Sequence, residues 1–388
     1  MNSNKTSKVI FLAYTSLFLL GLSDNVRGPL YPEILREFSL NDTQGSLFFA
    51  LSSAFGILGS YFSGKLYLKW GAVRTLRMSF LILTAAFVMM SVSPSFYFLL
   101  LGVVFFGLSL GLMGVVQNVL IVQEIPVGPL KNRILSGLHS MYAAASLAAP
   151  LLIQLIDASH GETALWRWVF ASGSFFSISM LLATYAGPQL AESTKAIRKE
   201  PPHPHEKWAQ IYFGVMLATY VLSEILVSTR LALYMRRQYE SNLTESVWYT
   251  AYFFVGLLLG RVLFSFWSPS FRLKHQTMLC LVLTILSLLV GIWIHPLGLA
   301  ASGLFMAPFY PLMMSAAGHL FPHSISQALS WAIALSSFFI VLMHFLVGSF
   351  TDLFGLQKAF LLAPFFMGVS LVMIVFYEKV FRRLQHSF

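Results

Sequence analysis

Read for its apolar runs, the chain is a succession of long hydrophobic stretches separated by short polar joints. Crossing a bilayer core of about 30 Å takes roughly 20 mostly apolar residues in a helix. Twelve stretches meet that requirement, at 9–31, 45–66, 76–93, 96–122, 134–156, 167–187, 208–234, 246–267, 277–295, 297–320, 327–350 and 358–377. The runs are continuous and do not alternate over about 10 residues as barrel strands do, so they predict helices. The expected fold class is an all-α integral membrane protein with twelve transmembrane helices.

Composition narrows this further. The 388 residues are 57% hydrophobic and 10% charged, with a mean hydropathy of +0.74, whereas soluble domains carry about 25% charged residues. A water-soluble globule is excluded. The lone Cys280 sits in an apolar run without a neighbouring His or carboxylate, which leaves no intrachain disulfide and no zinc site. No cofactor motif is present, and none is expected to be bound.

A formal net charge of +10 raises the question of nucleic acid, and the placement of the charges answers it. With both termini cytoplasmic, the inner segments hold 17 Lys and Arg, including Lys65, Lys69, Arg74 and Arg77. The outer segments hold Arg36, Arg167, Arg236, Arg237 and Lys358, while Arg27, Arg230 and Arg261 lie near or within helices. The positive-inside rule orients the chain that way, and anionic inner-leaflet lipid accounts for the basic excess. The expected setting is the cell membrane, crossed many times, with no nucleic-acid partner. Lys5 and Lys8 precede an apolar run as in a signal peptide, but Asp24 and Arg27 interrupt the run and no small-residue cleavage site follows. An uncleaved first helix is expected.

The longest polar segment centres on the middle of the chain and predicts a linker at 188–207 between six-helix bundles at 1–187 and 208–388. Faint repetition agrees. Asn41-Asp42-Thr43 before the second helix recurs as Asn242-Leu243-Thr244 before the eighth, and the basic loop Lys65 to Arg77 recurs as Arg261 to Lys274. Such repetition suits a transporter built from parallel repeats. Both Asn triplets read as helix N-caps or as glycosylation acceptors.

An ionisable residue inside a membrane helix costs about 2.5 to 3.5 kcal/mol on insertion scales, so it calls for a partner or a function. Two carboxylates qualify, Asp24 in the first helix and Glu224 in the seventh, at matched depths roughly 21 and 22 Å from the helix starts. Arg27, one turn from Asp24, can pair with it. If Arg27 instead reaches the headgroups, Asp24 is left as a proton site. Glu224, flanked by Tyr220 and Ser228 on its own face, can bind a substrate hydroxyl, share the proton, or be satisfied by a neighbouring helix. Gln117, Asn118, His139, Tyr142 and Tyr310, the last between Pro308 and Pro311, offer donors and acceptors suited to a polyol. Phe253-Phe254 reads as packing or lipid contact, His344 as an interhelical donor or a ligand, and His203 and His205 as solvated.

These residues also carry a resemblance. Gly21-Leu-Ser-Asp24 with Gly28-Pro29 and Pro32, Gly64-Lys-Leu-Tyr-Leu-Lys69-Trp-Gly71, His139-Ser-Met-Tyr142 with Pro150, Tyr220-Val-Leu-Ser-Glu224, Gly260-Arg261 and Pro308-Phe-Tyr-Pro311 are the segments concerned. Together they resemble the major facilitator superfamily, and within it the fucose-galactose-glucose:proton symporter family. The resemblance implies a major facilitator fold, in which helices 1, 4, 7 and 10 line a central cavity. It also implies alternating access, protons as coupling ion and a hexose-like substrate, in a chain expected to work as a monomer. Asp24 and Glu224 would couple the proton, and Arg27, Lys69, Gly71 and Arg261 would be structural or gating residues. Leu68 stands where most superfamily members carry Asp, Ala143 and Ala145 replace helix 5 glycines, Gly114 replaces a helix 4 carboxylate of the fucose type, and Ser336-Ser337-Phe338-Phe339 replaces a glycine cluster.

Two other classes compete. The small-residue run Ala143 to Pro150 is similar to an antiporter motif and would suit proton-driven efflux of an amphipathic compound. A membrane-embedded enzyme would need convergent acid, base and nucleophile groups that two isolated carboxylates do not supply. A non-transporting sensor would bind substrate without flux.

Overall fold

The structure, a computed structural model, describes residues 3–124, 129–160, 165–186, 206–266, 272–321 and 324–386. Most of the linker predicted at 188–207, with His203 and His205, lies outside the described residues. Everything regular among the described residues is helical. The elements are α1 (Ser3–Asn25), α2 (Arg27–Glu37), α3 (Asp42–Ser91), α4 (Phe96–Glu124), α5 (Pro129–His160), α6 (Leu165–Ala186), α7 (Lys207–Gln238), α8 (Leu243–Phe266), α9 (Leu273–Trp293), α10 (Leu297–Met306), α11 (Phe309–Leu320), α12 (Ile325–Phe354), α13 (Leu356–Phe360) and α14 (Leu362–His386).

Eleven helical segments are long and apolar enough to cross a membrane. One of them, α3, has 50 residues, about 75 Å at 1.5 Å per residue and far beyond one bilayer. Gly71 divides it, with φ 77° and ψ 169°, a conformation essentially reserved for glycine. Counting α3 as two gives the twelve spans the sequence predicts. Gly355, at φ 86° and ψ 157°, makes a comparable corner between α12 and α13.

Two spans are broken where proline dictates. Pro29 has no N–H for the carbonyl of Asn25, and the first span breaks at Val26 into α1 and α2. Pro308 and Pro311 likewise leave the carbonyls of Leu304 and Ala307 without their helical donors, and the tenth span breaks into α10 and α11.

The chain divides into two compact units. One comprises Met1–Leu40 with Leu47–Ile197, the other Asn41–Ser46 with Arg198–Phe388. In the first, α1 packs on α4 and α5. A methyl group added at Gly107 or Gly111 would collide with the backbone at Ser52 or Gly56, so small residues set how closely α3 and α4 approach. That is the usual route to packing in lipid, where apolar side chains gain little by leaving the hydrocarbon. Arg167 ties the ends of the first, third and sixth spans. It pairs with Glu37 at 2.6 Å and donates to the carbonyls of Ser91 and Ser93, while the neighbouring Trp166 donates to Glu37.

In the second unit α7 packs on α12 and α14, and α8 on α10. Gly260 faces the Leu304 carbonyl and Ala307 with no room for a side chain, so α8 lies directly on the break in the tenth span. Phe253 and Phe254 are both buried as packing residues. Asp352 accepts hydrogen bonds from the backbone N–H groups of Asp42 and Thr43, and Arg237 pairs with Asp42. Both Asn triplets cap helices. Asn41 Oδ1 accepts from Gln44 N at 2.8 Å, with Gln44 Oε1 accepting from Asn41 N in return, and Asn242 Oδ1 accepts from Glu245 N at 2.8 Å.

Candidate functional site

Each unit contains one cluster built on an intramembrane carboxylate. In the first, Asp24 ends the last turn of α1 just before the break at Val26. Arg27, at the start of α2, points back rather than toward headgroups. Its guanidinium pairs with Asp24 Oδ1, and its Nε donates to the Asp24 backbone carbonyl at 3.3 Å. It also donates to the Ser52 hydroxyl on α3. The guanidinium carbon lies 5.4 Å from the ring centre of Phe49 and 5.0 Å from that of Phe106, within range of cation–π attraction. The expectation that a headgroup-facing Arg27 leaves Asp24 free is therefore corrected. A buried guanidinium needs an anion, and Asp24 is three residues away.

Tyr142 on α5 donates to the other carboxylate oxygen, Asp24 Oδ2, at 2.6 Å. Gly21 makes this reach possible, because a methyl group there would press on Ala145 and on Tyr142 itself. Asp24 thus accepts one donor on each oxygen. Its side chain keeps 28% of its surface exposed, against 9% for Arg27.

In the second unit, Glu224 lies just past the middle of α7 and is half-buried. No cation among the described residues forms an ion pair with it. The Tyr220 phenol, one turn earlier on α7, Tyr310 on α11 and Arg261 on α8 form an electrostatic cluster with its carboxyl. Tyr220 is wholly buried, stacks on Phe309 with ring centres 4.4 Å apart, and donates its only hydroxyl proton to the Met306 carbonyl at 3.0 Å. That carbonyl belongs to the last turn before the tenth span breaks, so the proline break supplies an acceptor to the site. Gly260 brings α8 close to the same break and carries Arg261 with it.

The other residues singled out by the sequence fall separately. Gln117 on α4 is 1% exposed, and both ends of its amide lack a hydrogen-bond partner among the described residues. Asn118 donates to the Gly114 carbonyl of its own helix at 2.9 Å. His139 is exposed on α5, one turn before Tyr142. Lys69 and Gly71 form the bend of α3 and join neither cluster. Among the described residues no group of three or more His, Cys, Asp or Glu is placed to hold a metal ion.

Three participants escape a sequence reading. Ser52 looks like any serine in an apolar run. Glu33, only 4% exposed, pairs with Arg36, and Glu37 takes both Trp166 and Arg167. The two acidic residues lie past the apolar run of the first span, where an i,i+3 match with Arg36 is the only signal for Glu33.

Compared with protein families, residues 13–229 match the Major Facilitator Superfamily, more than half of the chain. No curated protein sequence matches. Among solved structures, a bacterial homologue of the human lysosomal transporter Spinster, in an inward-facing and occupied conformation, is similar with a TM-score of 0.77. It shares 14% identity, with 99% of each chain covered. A D-xylose-proton symporter gives a TM-score of 0.76 at 15% identity, covering 97% of this chain and 98% of that one. A point mutant of the nucleoside transporter NupG gives 0.75 at 11% identity, covering 97% and 99%. At such identities the likeness speaks for the fold alone, while the family match speaks for kinship: the chain belongs to the Major Facilitator Superfamily and is a transporter, not an enzyme.

Proposed function

We propose that the protein is a proton-coupled transporter of a small polar solute of sugar type, working by alternating access, and that Glu224 carries the proton. One observation carries this reading. Tyr220, one turn from Glu224, gives its single proton to the Met306 carbonyl, so while that bond holds, any hydrogen bond between the two side chains needs the Glu224 carboxyl as donor. A protonated carboxyl has the hydrogen to offer and an ionised one does not. Loading and unloading Glu224 therefore makes and breaks a contact at the proline-broken tenth span. A proton that binds two conformations unequally shifts their populations.

Asp24 has the complementary part in this reading. With Arg27 and Tyr142 it forms a fixed polar wall, and neutralising it would strand a buried guanidinium. Tyr142, His139, Asn118 and the amide of Gln117 supply donors and acceptors on α4 and α5, and Tyr310 does so on α11. An amide that offers both a donor and an acceptor suits a vicinal diol. The match of Gly21–Pro32 and Tyr220–Glu224 to the fucose-galactose-glucose:proton symporter pattern supports the sugar class, as does the symporter among the structural neighbours. The distribution of Lys and Arg supports a cell-membrane protein with both termini cytoplasmic, and the single chain is taken to be the working unit.

The test is uptake of labelled hexoses and pentoses into proteoliposomes under an imposed pH gradient, after a thermal-shift screen of sugars, polyols and drugs has named a ligand. Glu224→Gln should abolish pH-driven accumulation while leaving counterflow exchange measurable. Asp24→Asn should weaken both together. Retention of pH-driven accumulation by Glu224→Gln would move the proton elsewhere, and pH-driven expulsion by the unaltered protein would make it an exporter.

A further inference from the structure

The stretch of α3 that leads to Gly71 sorts its residues by face. Leu58, Tyr61, Phe62, Lys65, Leu68 and Lys69 recur at helical spacing, and all are exposed, from 43% at Leu58 to 61% at Tyr61 among the apolar ones. Ser63 and Tyr67, on the opposite face, are 0% and 2% exposed. The ammonium of Lys65 lies 4.5 Å from the ring centre of Tyr61 and 6.0 Å from that of Phe62, and Lys69 lies 5.3 Å from Trp70. Arg74 is exposed one turn beyond the bend. No Asp or Glu occurs anywhere from Thr43 to Gln123.

An exposed face that is apolar for two turns and cationic where the span ends matches a molecule with the same polarity along its length. We propose that this face of α3 binds an anionic phospholipid, with acyl chain along Leu58, Tyr61 and Phe62 and phosphate at Lys65 and Lys69, Arg74 adding its field from beyond the corner. A small soluble anion would have no use for the apolar turns. A zwitterionic lipid would bring its own cation toward the two lysines. The rings beside Lys65 hold its ammonium at the lipid-facing surface, which lowers the ordering cost of binding. The site is separate from both carboxylate clusters and does not depend on what is transported.

The experiment uses the purified full chain, with bound lipid quantified by native mass spectrometry after exposure to phosphatidylglycerol or to phosphatidylcholine of identical acyl chains. Phosphatidylglycerol should be retained more strongly. Each lysine removed should weaken it about fivefold, and Lys65→Gln with Lys69→Gln about 25-fold. Lys358→Gln, an exposed lysine on α13, is the control and should change nothing. Equal retention of phosphatidylglycerol by the double variant, or equal retention of phosphatidylcholine by the unaltered protein, would overturn the proposal. Displacement of the lipid by excess inorganic phosphate would also overturn it, by showing a phosphate site with no share for the acyl chain. A photoreactive phosphatidylglycerol should mark peptides within 57–74, and adducts confined to other helices would count against it in the same way.

Discussion

Asp24 takes a donor on each of its carboxylate oxygens. Arg27 serves one carboxylate oxygen and Tyr142 the other, while Ser52, Phe49 and Phe106 hold the guanidinium in place. Around Glu224 the nearest phenol has already given its proton away, and no ion pair forms among the described residues. The two carboxylates stand 200 residues apart, on the first and seventh spans, and differ in their neighbours. At offset 200 from Asp24 the repeat preserves an acid, but Arg27 is answered by Val227, and the tyrosine comes from the carboxylate's own helix instead of from α5. Two acids at corresponding positions of the repeat thus stand in different hydrogen-bonding surroundings, which is what the proposed division of roles between them rests on.

Arg27→Gln should have the largest effect on stability. Breaking a buried pair from one side costs 3–5 kcal/mol, and with Asp24 28% exposed the lower end applies, about 3 kcal/mol. Unfolding of the detergent-solubilised protein would read it, and the double variant with Asp24→Asn should recover part of the loss. Glu224→Gln should lose less than about 1 kcal/mol in the same assay, because no ion pair is broken. Equal losses in the two single variants would end the comparison.

Tyr142→Phe should come next. It removes a hydrogen bond to a charged acceptor, worth about 1.5 kcal/mol once water can reach the partly exposed carboxylate. Tyr220→Phe removes a neutral hydrogen bond and should cost about 1 kcal/mol, yet its effect on transport should be the sharper of the two. On the proposed role of Tyr220 as the acceptor for a protonated Glu224, the pH dependence of accumulation should flatten for Tyr220→Phe and persist for Tyr142→Phe. The reverse pattern would place proton exchange in the first unit.

The charged and tyrosine members of both clusters were legible for one reason. Charge in a membrane span is expensive, so Asp24, Arg27 and Glu224 stand out against apolar sequence, and Tyr142, Tyr220 and Tyr310 stand out as the polar groups near them. Which partner each acid takes was not legible. Arg27 could turn either way from its position at i+3, and only the burial of its guanidinium between Phe49, Phe106 and Ser52 decides it. Tyr220 could face Glu224 as donor or acceptor. The choice rests on the Met306 carbonyl, which comes from another helix and is exposed by a break at prolines more than 80 residues away. Arg261, read from its motif as structural or gating, is carried toward the broken tenth span by Gly260, whose missing side chain lets α8 reach it.

By itself the sequence determined the all-helical membrane fold, the twelve spans, both Asn helix caps, and the carboxylates on the first and seventh spans. These follow from local rules: hydrocarbon thickness sets the length of an apolar run, cap chemistry acts within four residues, and the insertion cost of a charge is felt wherever it lies. Tertiary structure decided that Gly71 turns the corner between the two spans of α3, that Glu37 ties three spans through Arg167, and above all that Asp24 takes a donor on each carboxylate oxygen while Glu224 has no ion pair among the described residues. Hydrogen-bond partners in a membrane protein come from neighbouring helices, and their direction depends on helix approach and rotation, which periodicity along a single chain does not encode.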